Sequence, residues 1–233
     1  MVDLKKRPFG RVGIIGITVV LVSLILVLVF PTKAPGIMDG FITPIIAFEF
    51  IETRQEVFQL FGPRNSPVQS EMVSRMNLGN YLDFVYMLLY SLFLAALSLK
   101  CARQAGNKIF YAGVPLSVFV LGGDFLENLQ LLGITSKLQT GNFESELYYL
   151  HIFTWQKWGG IALIFVLLGP YFMSGNLYSK LIALGGFFTF ILACLAFLQR
   201  SVLNEIFGLA VVIMFLMLII YCFTYKKDDA ADR

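Results

Sequence analysis

The stretch "IFGLAVVIMFLMLIIYCFTY", from Ile206 to Tyr225, contains no charged side chain. A helix needs about 20 predominantly apolar residues to cross the hydrocarbon core of a bilayer. A run of this length and composition is therefore typical of a transmembrane helix. Two more runs, Val12–Phe30 and Leu181–Leu198, are equally free of charge. The sequence thus predicts a protein that crosses a membrane several times.

The overall composition agrees with membrane embedding. Of the 233 residues, 58% are hydrophobic and only 14% are charged, whereas about 25% of the residues in a soluble domain are charged. The sequence has no basic, aromatic-rich block of the kind that binds nucleic acid. We therefore expect the lipid bilayer as the main partner and no nucleic acid, while a small ligand or a partner membrane protein stays possible.

Six apolar runs are long enough to span the membrane. They cover residues 12–30, 78–99, 109–134, 150–172, 181–198 and 206–225. None shows the polar and apolar alternation of a β-barrel strand, so each is predicted to be a helix. The predicted fold class is all-α, a six-helix transmembrane bundle that forms one integral membrane domain over residues 1–233. The first run follows basic residues, as in a signal peptide, but lacks a cleavage site, so we predict an uncleaved span.

The distribution of lysine and arginine predicts the orientation, because these residues are enriched in short cytoplasmic loops. With a cytoplasmic N-terminus, eleven of them lie inside and six lie outside, four of the six in one long segment. We therefore predict an inner (cell) membrane protein with both termini cytoplasmic.

The predicted outer segment, residues 31–77, is too long for a simple connection. Its part "ITPIIAFEFIETRQEVFQLFG" predicts one amphipathic interfacial helix, which lies on the membrane surface or caps the bundle. Glu49, Glu52 and Glu56 are predicted to form its solvated acidic face. The following "FGPRNSPVQS" is predicted to be a loop, because two prolines interrupt it.

Four ionisable side chains fall inside predicted spans: Asp83, Asp124, Glu127 and Lys157. Each costs about 2.5–3.5 kcal/mol on membrane-insertion scales, and all four are predicted in the outer half of the membrane. Asp124, Glu127 and Asn128 share one helix face because they lie at positions i, i+3 and i+4. That face is predicted to point inward, toward Asp83 and Lys157. Lys157 would neutralise one carboxylate, leaving up to two that are protonated, hydrated or matched by a ligand cation.

Few features of the sequence point to catalysis. The chain has one histidine, His151, its three cysteines follow no metal-binding spacing, and no nucleophile has an adjacent base. We therefore predict no catalytic residue and no metal site, and the cofactor is unknown. Most aromatic residues at the level of the charges are predicted to form an interfacial belt. They are Tyr81, Tyr86, Tyr90, Tyr148, Tyr149, Trp155 and Trp158.

The order of these polar residues resembles an uncharacterised family of small bacterial polytopic membrane proteins. The similar motifs are an Asp in "YLDFVYMLLYSLFLA", then "GDFLEN", then a Lys in "WQKWG". The resemblance covers residues 77–172 and implies that Asp83, Asp124, Glu127, Asn128 and Lys157 are the polar signature of the family. It implies no activity.

Three functional hypotheses follow. In the first, the five polar residues line a pocket that opens on the extracytoplasmic side and binds or transports a cation, a proton or a lipid headgroup. In the second, the protein is a non-enzymatic membrane partner subunit and the ion pairs are purely structural. In the third, the carboxylates serve a lipid-modifying enzyme, for which Mg²⁺ or Ca²⁺ would be the suitable metals.

Overall fold

The computed structural model describes residues 7–226, and within this range it contains helices and no strands. The helices are α1 (Gly10–Val29), α2 (Pro44–Glu49), α3 (Arg54–Phe61), α4 (Pro67–Ala105), α5 (Gly113–Ser136), α6 (Glu144–Met173), α7 (Leu177–Leu198) and α8 (Val202–Thr224), with a 3₁₀ helix at Lys108–Ala112. Six of them, α1 and α4 to α8, are long and apolar enough to cross a membrane. The predicted all-α bundle is confirmed, and the chain is a multi-pass membrane protein.

The six long helices are arranged in a ring. Each packs against its neighbours in the chain, and α8 closes the ring by packing against α1. Six crossings bring the start of α1 and the end of α8 to the same side, which we call the terminal face. The opposite side carries α2 and α3, and we call it the cap face. Lys5, Lys6, Lys227 and Arg233, which support the predicted orientation, lie outside the described residues, so the orientation stays a prediction.

Helix α4 begins earlier than its apolar run. The side chain of Ser66 accepts a hydrogen bond from the Gln69 backbone N–H at 3.1 Å, and Pro67 occupies the first helical turn, where its missing N–H does no harm. The predicted loop "FGPRNSPVQS" is therefore wrong in its second half. With 39 residues, α4 is about 58 Å long and extends well beyond the ~30 Å hydrocarbon core.

This extension of α4 also caps α1. The Arg75 guanidinium donates hydrogen bonds to the carbonyl oxygens of Leu28, Val29 and Phe30 at 3.0–3.1 Å. These carbonyls lie at the end of α1, where no further turn of helix supplies N–H donors. Arg75 therefore replaces the missing donors and fixes the cap-face end of α1 against α4.

The amphipathic segment between the first two spans forms two short helices instead of one. Helix α2 ends at Glu49, and a capping box between Thr53 and Glu56 starts α3. Both helices turn apolar side chains toward the bundle, where Phe48, Val57 and Leu60 are fully buried. The segment therefore caps the bundle.

Close approach of α5 and α6 depends on glycines, because small residues let helix backbones come near each other. A Cβ atom on Gly123 would lie 3.0 Å from the backbone nitrogen of Lys157, and one on Gly160 would lie 2.5 Å from Val120 Cγ2. By contrast, a Cβ atom on Gly122 would meet nothing closer than 3.9 Å. Gly123 thus lets α6 bring Lys157 next to α5.

We predict that Gly123→Ala destabilises the protein by about 1–3 kcal/mol, as overpacking does in a filled interface. Gly122→Ala is the matched control, and it should be neutral or slightly stabilising because alanine has the higher helix propensity. Thermal unfolding of both variants in the same detergent measures the difference. Equal melting temperatures for the two variants would contradict the close α5–α6 contact.

Candidate functional site

The structure brings the five predicted polar residues together in the interior of the bundle. Asp83 comes from α4, Asp124, Glu127 and Asn128 come from α5, and Lys157 comes from α6. Lys157 Nζ lies 3.5 Å from Asp124 Oδ1 and also contacts Glu127 Oε2. The three side chains of these ion pairs are at most 8% exposed. A charged group buried to this extent needs paired partners or a neutral protonation state.

A fifth charged residue, Glu49 at the end of α2, belongs to the same cluster. Its Oε1 lies 3.2 Å from Lys157 Nζ, and its side chain is only 12% exposed. The predicted solvated acidic face is therefore wrong at Glu49, because α2 folds over the bundle and points this side chain inward. One signal could have indicated it: Glu49 is the only charged residue between Asp39 and Glu52, and large apolar residues flank it.

Neutral donors hold the remaining carboxylate oxygens. Tyr90 Oη donates to Asp124 Oδ2, Thr154 Oγ1 donates to Glu127 Oε1 at 2.6 Å, and Trp158 Nε1 donates to Glu49 Oε2 at 2.8 Å. Thr154 is not among the residues predicted from the sequence. Tyr90 and Trp158 belong to the group of aromatic residues of which most were predicted to form an interfacial belt, but these two contact the cluster. Each donor fixes the direction in which one carboxylate points, so the cluster is rigidly oriented.

Asp83 differs from the other acids. The Asn128 amide donates to its Oδ2 at 2.7 Å, and no lysine, arginine or histidine of the described residues lies within ion-pair distance of it. Among residues 7–226, four carboxyl groups therefore surround one amine. If all four were ionised, three negative charges would lack a cationic partner. Burial makes such an excess costly, so protons or a cation must balance it.

A cavity of about 550 Å³ adjoins the cluster, which is within the usual size of a small-molecule site. Its polar end is formed by side chains of the cluster and their neighbours, and its remaining walls are largely apolar. The polar end contains Glu49, Asp83, Tyr86, Tyr90, Asp124, Lys157 and Trp158. The cavity thus combines an acidic end with an apolar body.

The apolar walls come mainly from α1 and α8, which the sequence did not associate with the site. Val27 of α1 and Val212 and Leu216 of α8 line the cavity and are also exposed on the outside of the bundle. Toward the terminal face the two helices close together, because Gly16 of α1 packs against Ile219 of α8. The cavity therefore opens sideways between α1 and α8, at the level of the membrane.

No protein-family model, curated protein or solved structure matches the chain. The resemblance to a family of bacterial membrane proteins therefore stays a prediction, and the function has to be argued from the site. Across residues 7–226, no group of three or more His, Cys, Asp or Glu side chains has the arrangement of a metal site.

The roof of the cavity is held by Glu205 in the first turn of α8. Its Oε1 accepts hydrogen bonds from the backbone N–H groups of Ile42 and Thr43 at 2.9 and 2.8 Å, and its Oε2 accepts from the Thr43 hydroxyl at 2.8 Å. Ile42 and Thr43 both line the cavity. This carboxylate therefore anchors the segment between α1 and α2 to α8.

A second ion pair anchors the cap. Arg200, in the turn between α7 and α8, donates to the carboxylate of Glu56 on α3 and to the Phe50 carbonyl oxygen. Partial burial alone would raise the pKa of Glu56, but hydrogen bonds from Arg200 and from the backbone N–H groups of Glu52 and Thr53 lower that pKa below its ordinary value. The cap is thus tied to the turn between α7 and α8.

Proposed function

We propose that this multi-pass membrane protein binds a ligand with a cationic group at the acidic end of its cavity. The observation that carries the proposal is the excess of carboxyl groups, with Asp83 lacking any cationic partner among the described residues. Asp83 lines the cavity and is partly exposed to it. A ligand ammonium would find a hydrogen-bonding oxygen there and would balance one of the negative charges.

The charge of the site argues against an anionic ligand. Lys157 is the only cation that residues 7–226 contribute to the cluster, and it already contacts Glu49, Asp124 and Glu127. Its positive charge is therefore already paired with protein carboxylates. A phosphate or carboxylate at the acidic end would meet several like charges, which would be strongly unfavourable.

The predicted orientation assigns the cap face to the extracytoplasmic side. The cavity is lined by residues near this face, including Phe30, Thr32 and Thr43. We therefore propose that the ligand enters from the extracytoplasmic half of the membrane. Binding alone or binding coupled to transport would use the same acidic end, and both belong to this proposal.

We predict that Asp83→Asn weakens the binding of a short organic cation, n-butylammonium, by roughly tenfold to a hundredfold. This range corresponds to the loss of one charge-assisted hydrogen bond, about 1.5–3 kcal/mol. The purified protein would be placed in phosphatidylcholine nanodiscs, and binding would be followed by the shift in melting temperature and by tryptophan emission, because Trp158, one of the two tryptophans, lines the cavity. Bound ligand raises the stability of the folded state.

Asp39→Asn is the matched control, because Asp39 is an exposed aspartate in the segment between α1 and α2. It should bind n-butylammonium as the wild type does. If the wild type shows no binding and the charge-removing variants only lower its melting temperature, the proposal is wrong and the ion pairs have the purely structural role of a partner subunit. Equal binding by wild type and Asp83→Asn would also contradict it.

A further inference from the structure

The side opening of the cavity bears on the chemical class of the ligand. We call the part of the cavity between α1 and α8 the side slot, and define it by Val20, Ser23 and Val27 of α1 with Val212 and Leu216 of α8. Four of these five residues are valine or leucine, and the Ser23 hydroxyl donates to its own helix, to the Val20 carbonyl oxygen at 2.8 Å. The side slot therefore offers a polar ligand no free hydrogen-bond donor.

The opening lies at a level where the neighbouring medium is lipid. Val27 and Val212 are 66% and 53% exposed, and both belong to helices without charged residues over most of their length. Water is unfavourable in an apolar slot of this kind, whereas a hydrocarbon chain passes between lipid and the slot at little cost in solvation. An acyl or alkyl chain is the occupant that matches both the slot and its surroundings.

The acidic end and the apolar side slot together match the two parts of an amphiphile. We propose that the ligand is a single-chain cationic amphiphile, which enters from the membrane with its chain in the side slot and its ammonium group at Asp83. This inference rests on the proposed function and adds the substrate class and the route of entry. A volume of about 550 Å³ suits one chain with a small head.

The structure also limits how far the alkyl chain of the ligand can reach into the bundle. Toward the terminal face, α1 and α8 approach each other closely at Gly13 and Gly16, where an added Cβ atom would overlap Phe223 and Ile219. The side slot therefore ends before it reaches the terminal face. An amphiphile that enters from the cap-face half of the membrane is held in that half, with its cationic head at Asp83.

The first test compares dodecylammonium with n-butylammonium in phosphatidylcholine nanodiscs. Val20→Trp should fill the side slot and weaken dodecylammonium binding at least tenfold, while n-butylammonium still binds because the acidic end is unchanged. Leu21→Trp is the matched control, since Leu21 is exposed on the same helix and does not line the cavity. Retained n-butylammonium binding also shows that the Val20→Trp variant is folded.

A second test uses a dodecylamine with a photoreactive diazirine in its chain. We expect labelled residues on α1 and α8 in the wild type, and loss of that labelling when excess dodecylammonium competes. Dodecanol, which has the chain without the charge, should not compete. If n-butylammonium binds through Asp83 but Val20→Trp leaves dodecylammonium binding unchanged or the label falls elsewhere, the side slot is not a binding site while the proposed function stands. If neither amine binds, both proposals are wrong.

Discussion

Replacing Lys157 with glutamine is expected to lower the free energy of unfolding by about 3–5 kcal/mol, the usual effect of removing one partner from a buried ion pair. Lys157 is the cation that Glu49, Asp124 and Glu127 share. Without it, the three carboxyl groups face one another in a region that water hardly reaches. Their mutual repulsion and their desolvation then both act against the folded state.

The loss should be partly reversed when a carboxylate is also removed. We expect the double variant Lys157→Gln, Glu127→Gln to unfold at a higher temperature than Lys157→Gln alone, since the two residues contact each other directly. Lys180→Gln is the control, because Lys180 is exposed at the start of α7, and it should change stability by no more than about 0.5 kcal/mol. Equal melting temperatures for Lys157→Gln and Lys180→Gln would show that the cluster does not depend on its central cation.

The second large effect concerns the ion pair that ties α3 to the turn between α7 and α8. Glu56→Gln is expected to lower the free energy of unfolding by about 1.5–3 kcal/mol at neutral pH, because Arg200 loses a charged acceptor. Glutamine can still accept the backbone hydrogen bonds of the capping box. The variant thus removes the charge and leaves the start of α3 in place.

The pH dependence of this effect has a definite sign. The pKa of Glu56 is lower in the folded protein than its ordinary value of 4.5. Its contribution to stability is therefore complete above about pH 4.5 and is lost as the pH falls through the lowered folded-state pKa. We expect the melting temperatures of the wild type and Glu56→Gln to differ at neutral pH and to become equal as the pH falls into the acidic range.

Glu144→Gln provides the comparison for that pH series. Glu144 lies 4.0 Å from Arg54, and both side chains are about half exposed or more, so solvent screens the pair and removing it should change stability by less than about 1 kcal/mol. If Glu56→Gln and Glu144→Gln have the same melting temperature at every pH, the Arg200 ion pair does not hold the cap in place.

Several features of the protein could be predicted because they depend on local sequence and on the cost of burying charge. Runs of about 20 apolar residues mark the helices that cross the membrane, and the helical spacing places Asp124, Glu127 and Asn128 on one face. An acid or a lysine inside such a run is unfavourable next to lipid. Asp83 and Lys157 therefore had to point into the bundle, where the structure places them beside that face.

Other features could not be predicted from the sequence, because they depend on contacts between distant parts of the chain. The inward turn of Glu49 depends on how the cap folds over the bundle, and the anchors at Arg200 and Glu205 are more than 140 residues from their partners on the cap. The amphipathic pattern of residues 42–62 predicted a helix but not the break that separates α2 from α3. The start of α4 was readable in principle from Ser66 and Pro67, which are a helix cap and a first-turn proline.

The sequence by itself determined that the chain is a membrane protein of six helices with an acidic cluster and one lysine inside it. Only the tertiary structure decided where the cavity lies, because it alone shows that α1 and α8 are neighbours. Their residues are apolar whether they face lipid, another helix or an apolar cavity, so composition cannot distinguish these environments. The acidic end could be predicted because charge burial is costly, and the side slot could not because an apolar wall leaves no such signal.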